Sequence, residues 1–413
     1  MTAEQENEPP GDELSDEDLE LVYGIQPGTE DEIDAATNRT KAFKPWHHPV
    51  KQIVRRRQWV EQTLRLIRNR GDESQTLRYF TLPGVDLLDV RVLAEFCNPL
   101  GVKIDYFGFN NGQDAAVGGE GTQRAGESFN AESALRQAGR ISETALILPD
   151  RLEDLAIDSS QAAAQLRQRP TFDVINIDAC AHLAFQPAGR THTTFDALRA
   201  LLRHQMTSRT QWLLFITTRA RPDLLGTPGD QFQRAIAANL AIHSDFAEAL
   251  ATSLNADPAD LATSLASAWG NHDTNFLKLY CIGLGKFLLQ FFHMQPNLPA
   301  NVELASCYSY RVYNGEPDML AVAFRITPDS PRFFDPGTGG TALVEELEPA
   351  RAIRVATRAQ RLWDLDTALS DQEDVRVEAV NGTVALLSAA NYNLEAWRDW
   401  LESHPQRPMS VKL

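Results

Sequence analysis

Asp178, Cys180 and His182 are the residues of this sequence best placed to do chemistry. They close the stretch 172–183, Phe-Asp-Val-Ile-Asn-Ile-Asp-Ala-Cys-Ala-His-Leu, which opens with a near-continuous run of strand-forming apolar residues. An apolar run buried on both faces marks a central parallel strand. Open α/β sheets bind ligands outside the carboxyl ends of such strands. There Asp178 can accept a hydrogen bond or a proton, and His182 can serve as a general base. The structural alternatives are helix capping for Asp178 and core packing for Cys180 and His182.

A second cluster precedes it. Residues 44–59 read Lys-Pro-Trp-His-His-Pro-Val-Lys-Gln-Ile-Val-Arg-Arg-Arg-Gln-Trp. Pro49 suits a first helical turn. Ile53, Val60, Leu64 and Ile67 recur at helical spacing with Trp59 beside them, which leaves Lys51, Arg55 and Arg56 on another face. With His47 and His48, these cations would suit phosphates, a nucleic-acid backbone or an anionic acceptor; the alternative is a basic helix face that salt-bridges the acidic tail. Adjacent histidines without further spaced ligands do not make a tetrahedral metal site.

The 413 residues are 43% hydrophobic and suit a soluble protein of two or three domains, or one large α/β domain with appendages. The net charge of −17 is concentrated: residues 1–34 hold thirteen acids and no Lys or Arg, and the rest balances 43 acids against 39 bases. Residues 39–70 hold ten Lys/Arg and one acid, Glu61. A disordered acidic tail over 1–38 follows from that composition. It would solubilise the chain, shield the basic segment in cis or engage a protein or nucleic-acid partner. The four cysteines are widely spaced, no apolar run reaches the length of a membrane span, and the acidic start does not read as a secretory signal. A reducing cytoplasm is therefore expected.

Elements alternate after a basic helical segment, 39–76. Strands are expected at 77–82, 102–109, 144–148, around 172–178 and at 211–218. Helices are expected at 89–96, 129–141, 159–168 and 194–205. Such alternation builds βαβ units and a mostly parallel, doubly wound sheet. A helical insertion covers 229–293. Residues 302–313 and 319–326 alternate with period two around Asn314-Gly315, a β-hairpin signature. Residues 328–350 read as a linker, and 351–413 as a small α+β appendage with helices at 352–369 and 394–403 and a hairpin-like piece at 375–387.

Five strand–helix units followed by an antiparallel hairpin resemble the class I S-adenosylmethionine-dependent methyltransferases; the resemblance covers about residues 50–327, with the α/β domain itself at 77–327. The resemblance implies a cofactor site built from the first loop, Thr81-Leu-Pro83-Gly84-Val-Asp86, from Asn110 after the second strand and from Asp150 after the third. Asp178 would then lie next to the transferred methyl group. The first loop carries one glycine where the family has a cluster, and Asn110 stands where the family has an acid. The Asn/Asp-Pro-Pro-aromatic motif of base amino methyltransferases and the Lys-Ser/Thr of a P-loop are absent. The competing expectation is a methyltransferase-like scaffold without activity, or a nucleic-acid-binding subunit of a bacterial multi-protein assembly such as a phage-defence system, docking through its acidic tail and the tryptophans 363, 397 and 400.

Overall fold

A computed structural model describes residues 42–70, 75–110, 123–179, 181–293, 299–312, 315–329 and 347–403. Met1–Phe43 and Lys44–Leu413 form two units. The disorder expected over 1–38, the Asn314 turn position, Cys180 and most of the expected linker lie outside the described residues.

The second unit is an α/β sandwich. A turn at Pro45–His47 leads into a continuous helical segment: α1 (Pro49–Ile53), a π-helical stretch (Val54–Val60) and α2 (Glu61–Asn69). Then come β1 (Thr76–Thr81), α3 (Leu88–Cys97), β2 (Lys103–Phe109), α4 (Gln123–Gln137), β3 (Leu146–Leu148), α5 (Gln161–Gln168), β4 (Val174–Asp178), α6 (Thr194–Gln205) and β5 (Trp212–Arg219). A helical block follows: α7 (Gly226–Leu240), α8 (Ser244–Ser253), α9 (Leu261–Gly270) and α10 (Thr274–His293). The chain ends with β6 (Ala300–Tyr310), β7 (Met319–Pro328), α11 (Leu347–Ala359), β8 (Trp363–Asp364), α12 (Leu365–Asp371), α13 (Glu373–Ala389) and α14 (Leu394–Ser403). The strands form one sheet in the order β3-β2-β1-β4-β5-β7-β6-β8. β1 to β5 are parallel, and β7 runs antiparallel to both β5 and β6. The expected parallel units and terminal hairpin are therefore present.

The two faces of this sheet differ in chemistry. Strand alternation sends Phe80, Ile175, Ile177, Leu214, Ile216, Val322 and Phe324 to one face, where they form a continuous core with α6 and α10. The registers Thr81↔Asn176 and Asp178↔Thr217↔Ala321↔Tyr308 put polar side chains on the other face. The N-terminal helical segment covers that polar face with Lys51, Arg55, Gln58 and Gln62, all buried. Gln58 Nε2 donates to Ser306 Oγ at 3.0 Å and to the Ala321 carbonyl at 3.1 Å, and Arg325 donates to Gln62 Oε1 at 2.9 Å. Lys51 and Arg55 thus face the sheet while Arg56 and Arg57 are half-buried, and Leu64 and Ile67 are only half-buried while Leu66 is buried. The physical reason is the π-helical stretch, which takes more residues per turn and rotates the later residues off the α-helical spacing.

Other departures have local causes. α4 ends at Gln137 rather than Ile141, because Gly139 turns left-handed (φ +67). The stretch 375–387, expected as a hairpin, lies within helix α13: its valines are β-branched, but Val375, Ala379, Val380, Thr383, Leu386 and Leu387 bury one helical face. Tertiary packing overrides β-propensity there. The expected helix 352–369 is instead α11, β8 and α12, and β8 joins the main sheet beside β6. These C-terminal elements belong to the same compact unit as the sheet. Among the described residues no helix is long and apolar enough to cross a membrane.

The insertion packs tightly on the core. A Cβ at Gly283 of α10 would lie 2.6 Å from Phe232 Cβ of α7. Gly283→Ala is expected to destabilise by about 1–3 kcal/mol through overpacking, read as a lower urea midpoint at unchanged slope.

Candidate functional site

The chain winds outward from β1 to β2 and β3 on one side, and from β4 to β5 on the other. The order reverses between β1 and β4, and a crevice opens outside the carboxyl ends of strands at such a switch point. Thr81 ends β1 and Asp178 ends β4, so these two residues flank it.

Asp178 is held by Lys51, whose Nζ lies 2.5 Å from Oδ1. The Lys51 side chain is 4% exposed and that of Asp178 25%. Lys51 also donates to Tyr310 OH at 3.4 Å and lies 4.8 Å from the centre of the Trp59 ring. The cation thus sits in an aromatic enclosure, while the carboxylate keeps one side open to the crevice.

The first loop is drawn across the end of β2. A Cβ at Gly108 would lie 2.8 Å from both the Thr81 carbonyl and Pro83 Cδ, so glycine is required there. At Gly84 a Cβ would meet nothing within 4 Å, so this backbone faces open space. Asp86 turns away from that space: Tyr392 OH donates to its Oδ2 at 2.5 Å and lies 3.2 Å from His47 Nε2. The fixed carboxylate of Asp86 is therefore part of a buried link between the first loop, the N-terminal turn and the C-terminal helices. Sequence reasoning missed Asp89, in the first turn of α3. Its Oδ2 accepts from Thr81 Oγ1 and, at 3.0 Å, from Tyr79 OH, which in turn accepts from Asn176 Nδ2 at 2.8 Å. Burial holds the Asp89 carboxyl above its usual range, against the hydrogen bonds from Thr81 and Tyr79. An acid opening the helix that follows the first strand was the available signal.

On the other side, Asn110 donates its N–H to the Leu148 carbonyl at 3.0 Å, and its Nδ2 lies 3.4 Å from Ser128 Oγ. Asp150 stands after β3 with Oδ2 buried and without a hydrogen-bond partner. Burial, then the nearby Asp154, raise its carboxyl, and Arg190 opposes them.

Asp178 and His182 share no hydrogen bond. His182 faces Arg219 and Asp223 instead; burial and then Arg219 lower its pKa, so the ring is neutral near pH 7. The Ala181 carbonyl accepts from the Arg219 N–H at 3.1 Å, which takes His182 towards β5, so the two candidates do not form a hydrogen-bonded pair.

Most of the candidate substrate-binding residues of the basic segment are turned inward. His47, His48, Lys51 and Arg55 are buried. His48 Nδ1 accepts from the Val50 N–H at 3.2 Å and caps α1, and Trp397 Nε1 donates to the His47 carbonyl at 3.1 Å. Arg56 pairs with Glu95 at 3.3 Å and stacks on Phe96. Of these, Lys51 and Arg55 lie on the polar face of the sheet, which demands polar partners.

A family model described as PP_RS20740-like matches residues 40–402, and the chain belongs to that family. No curated protein matches it.

Proposed function

We propose that this member of the PP_RS20740-like family is an S-adenosylmethionine-dependent methyltransferase of the class I type, its donor site spanning the ends of β1, β2 and β3 and its acceptor site at Asp178. The observation that carries the reading is the switch point between β1 and β4, with open space at Gly84 on one side and the half-open carboxylate of Asp178 on the other. The parallel strands and the antiparallel hairpin β6–β7 support it. The residues present fit the donor: Gly84 leaves room for close approach, Asn110 offers a carboxamide, and Asp150 Oδ2 is an unused buried acceptor after β3.

The donor, when bound, supplies an electrophilic methyl group. What this chain contributes is positioning and a base. Asp178 can take a proton from the acceptor, and Lys51 holds that carboxylate at one angle.

Calorimetric titration with S-adenosylmethionine tests the reading, with micromolar binding expected; no heat up to millimolar donor would sink it. Gly84→Val sharpens the test. Its added carbons meet no protein atom near Cβ, so stability should change by less than about 0.5 kcal/mol, whereas donor binding should weaken at least about tenfold, about 1.4 kcal/mol. An inactive scaffold is the second reading. It is favoured by the engagement of Asp86 with Tyr392 and of Asp178 with Lys51. Co-purification of a stable partner, with no donor bound, would support it.

A further inference from the structure

We propose that the enclosed layer between the N-terminal helix and the polar face of the sheet is a binding site for a small oxyanion, a carboxylate or a phosphate, anchored by Arg55. As the anionic group of a methyl acceptor, this ligand rests on the transferase reading; as a site, it does not.

Arg55 is 4% exposed. A terminal nitrogen donates to the Trp46 carbonyl at 3.1 Å. Its Nε is buried and has no partner. Among the described residues no carboxylate forms an ion pair with it. The carboxylates whose charge it feels most are Asp178 and Asp89, and desolvation outweighs their attraction. Asp178 already serves Lys51, and Asp89 is turned to Thr81 and Tyr79. Guanidinium does not deprotonate in a protein and so cannot escape burial by losing its charge. A buried cation without an ion-pair partner is costly, and such a residue is better explained by an anion that arrives than by a contribution to the fold.

The neighbourhood has the chemistry to receive one. Lys51 lies one helical turn before Arg55, and Trp59 one turn after it. Asn176 Oδ1, Thr217 Oγ1, Gln58 Oε1 and Trp59 Nε1 are also buried without partners in the same layer. Trp59 Nε1 and the Thr217 hydroxyl can donate to an oxyanion, and the guanidinium fork matches its planar pair of oxygens. The half-open side of Asp178 offers the way in. A duplex phosphate backbone cannot reach a guanidinium this deep, which restricts the ligand to a small molecule.

The full chain is to be melted in inorganic phosphate, in acetate and in chloride at equal ionic strength, beside Arg55→Met and Arg55→Lys. Phosphate stabilises many proteins by exclusion from their surface, so the variants provide the baseline. Expected are a higher melting temperature for wild type in phosphate or acetate than for Arg55→Met in the same salt, at least about tenfold weaker anion binding by Arg55→Met in calorimetry, and an intermediate response of Arg55→Lys. The larger of the two responses tells phosphate from carboxylate. In chloride, Arg55→Met should melt no lower than wild type. The proposal is overturned if wild type and Arg55→Met respond equally to both anions, or if Arg55→Met melts well below wild type in chloride, since Arg55 would then support the fold. Donor titration separates the two readings: anion binding without donor binding ends the transferase reading and leaves this site, and the reverse ends this site alone.

Discussion

Asp173→Ala should lower the unfolding free energy by about 3–5 kcal/mol. Asp173 precedes β4, and its side chain is fully buried. Its Oδ2 accepts from the Arg78 backbone N–H at 2.7 Å and from Arg78 Nε at 3.2 Å, and its Oδ1 from an Arg78 terminal nitrogen at 2.6 Å. Arg70, itself 9% exposed, pairs with the same Oδ1. The backbone of Asp173 donates to the Arg78 carbonyl at 2.8 Å and accepts from the Leu213 N–H at 2.9 Å. One residue thus ties the feet of β1, β4 and β5, and the end of the helical segment that covers them. Truncation removes the acceptor of a backbone donor and leaves the Arg70 charge without its carboxylate, two costs that water cannot offset at that depth. Asp173→Asn should fall between wild type and Ala, because its amide oxygen can still accept from the Arg78 N–H. Urea unfolding followed by tryptophan fluorescence reads the difference as a shift in midpoint. Added salt should not restore the loss, since a buried pair is little screened. A loss for Ala below about 1 kcal/mol would mean that the pair behaves as an exposed one.

Much of the scaffold was legible because it rests on local signals. The apolar run 172–178, the turn chemistry between units and the period-two alternation of β6 and β7 each specify an element without reference to the rest of the chain. The sheet end at Asp178 followed from the same run. The partner of that carboxylate did not, since Lys51 lies 127 residues earlier and its helix reads as an ordinary basic amphipathic one. That the polar side of the helix faces inward depends on the sheet presenting Thr81, Asn176, Asp178 and Thr217, a property of strands paired across the whole chain. The link of Asp86 to Tyr392 joins residues 306 apart and is likewise invisible locally. α13 was misread for the opposite reason: its local signal, four valines and a threonine in 375–384, was present and was outweighed by packing.

The Lys51–Asp178 pair should show an asymmetry that reports which of its ends opens to the crevice. Asp178→Ala removes the carboxylate 2.5 Å from an ammonium that is 4% exposed, and is expected to cost about 3 kcal/mol. Lys51→Met leaves a carboxylate that is 25% exposed and can be hydrated on its open side, so its cost should be nearer 1 kcal/mol, with the methionine stem still packing on Trp59 and Tyr310. The double variant should be more stable than the sum of the two losses implies, because the uncompensated ammonium is then gone. Urea midpoints of the four proteins measure that coupling. Under the transferase reading the same variants split binding from chemistry. Asp178→Asn should abolish turnover while donor affinity stays within a factor of about two, since Gly84, Asn110 and Asp150 are untouched. Equal losses from the two single variants would mean that Asp178 is as enclosed as Lys51; the carboxylate would then be a strut of the fold, and the acceptor would have to enter elsewhere.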